Sequence, residues 1–140
     1  MRLCVLDTDH LSLLQRGHPQ VAAKVLATPP EFLAITIITA EEQLRGRLSQ
    51  IRKAHDEQGR NQAYLRFRET LAYLARVHVL DYTREAEAEY QILRRQKLPI
   101  GTQDLRIAAT VRALKVVLIT RNHTDFSQVP GLLIEDWSRS

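Results

Sequence analysis

The sequence predicts an α/β protein: a mostly parallel central sheet of four to five strands, flanked by helices on both faces. Two observations carry that reading. Short apolar runs recur through the chain at Arg2–Leu6, Phe32–Thr36, Val77–Leu80 and Val116–Thr120. Runs of this length, bounded by turn and cap residues, suit strands buried on both sides. Between them lie segments with helical spacing, and strict alternation of strand and helix builds parallel sheets. The 140 residues suit a single domain, 1–140. A chain of this size buries roughly 68–70% of the surface it exposes when unfolded.

The elements follow in order. The run Arg2–Leu6 ends at Asp7, and Thr8 or Asp9 caps a helix from about His10 that Gly17 stops. Pro19 suits the first position of a second helix reaching about Leu26, ended by Pro29 and Pro30. Phe32–Thr36 is the second strand, and Thr39 caps a helix running to about His55. Gln58–Asn61 reads as a turn and Gln62–Arg76 as a helix, with Leu65, Leu71, Leu74 and Ala75 near helical spacing. These two helices make an antiparallel hairpin. Val77–Leu80 is a third strand, and Thr83 caps a helix over Arg84–Gln96. Pro99–Gly101 breaks the chain, and Thr102 caps a helix to Lys115. Val116–Thr120 is the fourth strand and Leu132–Glu135 a short fifth.

Composition narrows the function. The lone cysteine, Cys4, excludes an intramolecular disulfide and reads as a buried core residue. His10, His18, His55, His78 and His123 lack metal-binding spacing and read as surface or satisfied structural residues. The longest apolar stretch, Leu33–Ala40, falls far short of the ~20 residues of a membrane span. With no signal-peptide pattern at the start, the expected compartment is the cytoplasm. The formal charge is +4, from 20 basic and 16 acidic residues. If four acids are neutralised in one site, the remaining 12 leave the surface at +8. A basic surface around an acidic pocket suits a polyanionic substrate.

Ligands of parallel sheets sit beyond the carboxyl ends of the strands. Asp7 follows the first strand, and Asp125 follows the fourth by a short loop, Arg121–Phe126. Each also suits a turn or cap. Glu42 falls early in the helix after the second strand, where Thr39–Glu42 fits a capping box. Periodicity leaves Glu41 and Glu42 undecided. Gly46 shares a face with Glu42, and a helical glycine is often tolerated where something approaches closely. Asp104 shares the apolar stripe of Ile107, Ala108, Val111 and Leu114, so its carboxylate points along a buried face. A buried carboxylate needs a cation or hydrogen-bond donors. Two carboxylates ~5 Å apart repel by about 3 kcal/mol at an effective dielectric near 20. Four would converge only around Mg²⁺ or Mn²⁺, hard cations that favour oxygen ligands.

With these pieces in order, the chain resembles PIN-domain proteins, specifically the VapC toxin family of bacterial toxin–antitoxin systems. The matching residues are Val5–Asp9, Glu42 with Gly46, Ile100–Asp104 running into Ile107–Ala109, Leu118–Asn122 with Asp125–Phe126, and the ending Gly131–Trp137. The resemblance implies a PIN-like domain and an acidic quartet of Asp7, Glu42, Asp104 and Asp125, both catalytic and metal-holding. It favours Glu42 over Glu41, and it gives Thr8 and Asn122 supporting places. It further implies Mg²⁺ or Mn²⁺, cleavage of RNA (tRNA or rRNA), homodimerisation and a cognate antitoxin. Gln43 departs from the pattern, standing where an apolar residue is more usual. Arg16, Arg45, Arg106 and Arg121 are candidate phosphate contacts. Two alternatives remain. Asp7–Thr8–Asp9 also resembles the aspartate pair of haloacid-dehalogenase phosphatases, with His10 where a small apolar residue is normal. The other alternative is a non-catalytic RNA- or protein-binding module of the same fold.

Overall fold

The computed structural model describes residues 2–139. Five strands form one sheet: β1 (Cys4–Leu6), β2 (Leu33–Thr36), β3 (Val79–Leu80), β4 (Val117–Ile119) and β5 (Leu133–Glu135). Their order is β3-β2-β1-β4-β5, and every neighbouring pair is parallel. The helices are α1 (Thr8–Gln15), α2 (Pro19–Leu26), α3 (Ile37–Lys53), α4 (Glu57–Leu74), α5 (Arg84–Arg95), α6 (Thr102–Leu114) and α7 (His123–Phe126). A 3-10 turn, Pro30–Phe32, leads into β2.

The strands are short and apolar because both faces are covered. Side chains alternate across a strand. Val5, Ala34 and Leu118 therefore enter a core shared with Leu93 of α5 and Ile107, Ala108 and Val111 of α6. Leu6, Ile35, Val117 and Ile119 enter a second core with Leu11, Leu13, Val21 and Trp137. Glu89 and Arg112 form an ion pair at 3.1 Å between α5 and α6. Gly17, at φ +78, adopts the left-handed backbone that ends α1.

Several expected boundaries move. Asp7 itself caps α1, its carboxylate accepting the His10 N–H, so neither Thr8 nor Asp9 is the cap. Thr36, the last residue of β2, caps α3 by accepting the Thr39 N–H. The helix thus starts one turn early, and Thr39 lies inside it. Residues 58–61 are helical rather than a turn. The chain turns at 54–56, and Asp56 caps α4 through the Gly59 N–H. Gly101 precedes α6 without a side-chain cap, so Thr102 is the first helical residue. Residues 123–126 form the single turn α7 instead of open loop. Cys4 is half-buried rather than a core residue. The last turn of α4 packs through Tyr73 and Leu74, while Leu65 and Leu71 remain exposed.

Leu118 lies at the middle of β4 with no exposed surface. Leu118→Ala should lower the free energy of urea unfolding by about 2–5 kcal/mol. A loss below about 1 kcal/mol would show that the strand does not anchor the core.

Candidate active site

The sheet order sets the site. β1 lies between β2 and β4, so the segments leaving all three strands meet at one carboxyl edge. The Asp7 N–H donates to the Ile119 carbonyl at 3.0 Å, which fixes Asp7 beside the end of β4. The Asp7 side chain is buried, and its Oδ1 accepts the His10 N–H at 2.7 Å. Asp7 is therefore both a helix cap and a wall of the cleft.

Glu42 lies in the second turn of α3, because the helix begins after Thr36. The capping-box role that Thr39 would have given it is absent. Its Oε1 accepts the Thr8 hydroxyl at 2.6 Å, and the Thr8 and Thr39 hydroxyls are 3.0 Å apart. Glu41 points elsewhere, to Arg45 at 2.7 Å and Gln103 at 2.8 Å. A Cβ added at Gly46 would meet nothing within 4 Å, so no close approach inside the chain requires that glycine.

Asp125 is organised by Asn122. The Asn122 Oδ1 accepts the Asp125 N–H at 3.3 Å, and its Nδ2 donates to Asp125 Oδ2 at 2.9 Å. Asp104 sits in the first turn of α6, where the helix dipole favours a carboxylate. Even so, its pKa is pushed up to about 6. Burial is the largest cause, followed by the charges of Glu42, Asp7 and Asp125. The charges of four acids, brought from four parts of the chain, are therefore felt at one edge of the sheet.

Their arrangement is open. Asp7, Thr8, Asp104, Asn122, Asp9 and Arg121 line a cleft of about 450 Å³. Glu42 and Asp125 adjoin it through their hydrogen bonds to Thr8 and Asn122. Among the described residues, no three acidic, imidazole or thiol groups gather tightly enough to cage an ion. An open set of hard oxygen donors suits Mg²⁺, which takes one or two carboxylates and fills its octahedron with water and substrate phosphate.

The candidate arginines divide. Arg121 is held by both oxygens of Asp9, with Nη2 at 3.2 Å from Oδ1. Arg45 pairs with Glu41. Arg106 stacks over the Tyr90 ring at 5.2 Å and donates to Gln103. Arg16 is exposed beyond α1.

Sequence reasoning missed His10, which has no exposed surface. Its Nε2 accepts the Trp137 N–H at 3.2 Å, which leaves the proton of a neutral ring on Nδ1. Nδ1 lies 3.6 Å from Asp7 Oδ1 and has no hydrogen-bond partner among the described residues. The cap at Asp7 could have signalled this, because it draws the first turn of α1 inward.

A family model described as "PIN domain" matches residues 4–132. Among curated proteins, "Ribonuclease VapC1" of Haemophilus influenzae (strain R2866) is 28% identical over 96% of this chain and 98% of its own. The "tRNA(fMet)-specific endonuclease VapC" of Shigella flexneri is 36% identical over 47% of this chain and 53% of its own. Among solved structures, VapBC-1 from nontypeable Haemophilus influenzae is 27% identical over 97% of this chain and 98% of its own, with TM-score 0.75. DNA-bound VapBC from Salmonella typhimurium shares the fold, with TM-score 0.77 at 23% identity over 98% and 99% of the two chains.

The Asp104 shift has a signed consequence. A carboxyl with a raised folded pKa binds more protons folded than unfolded between 3.8 and about 6. Stability therefore falls as pH rises through that window. Without divalent metal, Asp104→Asn should melt higher than wild type at about pH 7 and lose that advantage near pH 4. Parallel melting profiles for the two proteins would contradict the shift.

Proposed function

The chain belongs to the PIN domain family, and from that premise we propose that it is a metal-dependent endoribonuclease, the VapC-type toxin of a toxin–antitoxin pair. The observation that carries the chemistry is Asp104: half-buried, in the first turn of α6, and repelled by Glu42, Asp7 and Asp125 together. Such a group favours a cation, and the cleft offers it oxygen ligands. Mg²⁺ or Mn²⁺, when bound, supplies charge neutralisation, an acidified water and stabilisation of the leaving oxygen.

The residues have separate tasks in this reading. Asp7 and Asp104, which line the cleft, would hold the ion together with Asp125, and Glu42 would hold it directly or through water. The Thr8 hydroxyl fixes Glu42, and Asn122 fixes Asp125. Cleavage is hydrolytic: the oxygen of water bonds to phosphorus while the bond to the departing ribose oxygen breaks and that oxygen takes a proton. The substrate is RNA, with tRNA and rRNA first to test. The antitoxin is the protein partner, and the working form is a cytoplasmic homodimer. Among the described residues no helix is long and apolar enough to cross a membrane.

The phosphatase alternative would need Asp9 free to move protons beside Asp7. Asp9 is instead engaged by Arg121 through two hydrogen bonds, which favours the nuclease. A phospho-aspartate trapped at Asp7 would reverse that preference.

Incubating labelled tRNA and rRNA with purified protein should yield discrete fragments with Mg²⁺ or Mn²⁺ and none with EDTA. Asp7→Asn and Asp104→Asn should abolish them. Thr8→Ala, which loses the Glu42 contact, should slow cleavage about 10–100-fold. Cleavage that survives EDTA or either Asp→Asn change would refute the proposal.

A further inference from the structure

A second groove, about 730 Å³, opens beside the acidic cleft, and Ser12 lines both. Three guanidinium groups converge on it from three elements. Arg16 follows α1, Arg47 lies on α3 and Arg66 on α4. Among the described residues none of the three has a carboxylate within 4.0 Å, whereas Arg45, Arg112, Arg121 and Arg139 each have one. Glu69 is the one acid on the groove wall. Like charges gathered without counter-charges attract an anion.

Arg47 is held in place. Its Nε donates to the Thr70 hydroxyl at 2.9 Å and its Nη1 to Gln50 at 3.3 Å. Thr70 is buried and donates to the Arg66 carbonyl at 2.9 Å. A guanidinium fixed in this way loses little freedom when it binds a phosphate. Gln43, the residue that departs from the family pattern, joins the same construction. Its amide exchanges two 3.0 Å hydrogen bonds with Gln15, fixing α1 against α3 between cleft and groove.

Helix α1 runs between the groove and the acids. Thr8 and Ser12 share one face of α1, and Arg16, its C-cap, continues the same spacing one turn on. At 1.5 Å per residue, Arg16 lies ~12 Å along the helix from Thr8, the Glu42 contact. We infer that the groove formed by Arg16, Arg47 and Arg66 binds the phosphodiester backbone of single-stranded RNA a few nucleotides from the bond that is cut. This rests on the nuclease reading above. The wall is made mostly of guanidinium, amide and hydroxyl groups, which suit sugar and phosphate. Tyr73 adds an aromatic face on which a base can stack. Apart from Tyr73 the wall offers no apolar anchor of the kind a protein segment would need.

The test measures anisotropy of a short labelled single-stranded RNA against salt, in the Asp7→Asn background to prevent cleavage. Arg16 and Arg66 are exposed, and their side chains make no hydrogen bond among the described residues, so their removal leaves the fold intact. Arg16→Gln and Arg66→Gln should each reduce the slope of log affinity against log salt by about one. Glu69→Gln should tighten binding. Lys115→Asn, at the amino edge of the sheet far from the cleft, should leave the slope unchanged. In cleavage-competent protein, Arg16→Gln and Arg66→Gln should raise KM and leave kcat within about twofold, as for uniform binding. Unchanged slopes and KM in a protein that still cleaves would overturn the groove and leave the nuclease standing. Weakened antitoxin binding with unchanged RNA binding would assign the groove to protein and likewise overturn it. A wild-type chain that neither binds nor cleaves RNA would overturn both.

Discussion

A carboxylate withdrawn from water beside other negative charges is the constraint around which this structure is organised. Asp104 feels Glu42, Asp7 and Asp125 while half withdrawn from water. Left free, such groups would separate. The apolar framework prevents it: β1 is hydrogen-bonded on both sides, and α6 is buried along Leu105, Ile107, Ala108, Ala109 and Val111. Burial of those side chains offsets the electrostatic cost of the site. The framework stores unfavourable charge at its edge, where a cation can relieve it.

The acids are positioned by the same short hydrogen bonds that begin helices. Asp7 caps α1, Thr36 caps α3, and Asn122 caps α7 while also donating to Asp125. Capping and function are not rival explanations here, because each cap sets the direction in which a neighbouring carboxylate leaves the sheet. The hydroxyl pair of Thr8 and Thr39 extends this to Glu42. Behind Asp7, His10 links the site to the Trp137 backbone near the end of the chain. The acidic cleft therefore depends on contacts from both ends of the sequence.

Much of the fold was legible because the strands are continuous apolar runs and Pro19, Gly17 and Thr83 mark helix ends directly. Other boundaries were hidden for identifiable reasons. Thr36 belongs to the apolar run of β2 and caps α3 at once, so sequence pattern alone places the cap one turn too late. Gly59 and Asn61 resemble turn residues, yet Asp56 begins α4 before them. Asn122 and Asp125 look like loop residues because α7 is a single turn held by their own side chains. Asp7, Glu42 and Asp125 stand out by their places after strands, and Asp104 by sharing the apolar stripe of its helix. Contacts between elements did not: the burial of His10, the Gln15–Gln43 bridge and the convergence of Arg16, Arg47 and Arg66 arise from helices distant in sequence. The leucines of α4 keep near-helical spacing, but Leu65 and Leu71 remain exposed.

The central claim is that the four acids form one electrostatic unit that a divalent cation relieves. Its most direct test is the carboxyl carbon resonance of Asp104, followed against pH by NMR with and without Mg²⁺. In metal-free protein the midpoint should lie near the raised value of about 6, and saturating Mg²⁺ should move it below the ordinary carboxylate range. A midpoint near 4 without metal, or one that Mg²⁺ does not move, would contradict the account.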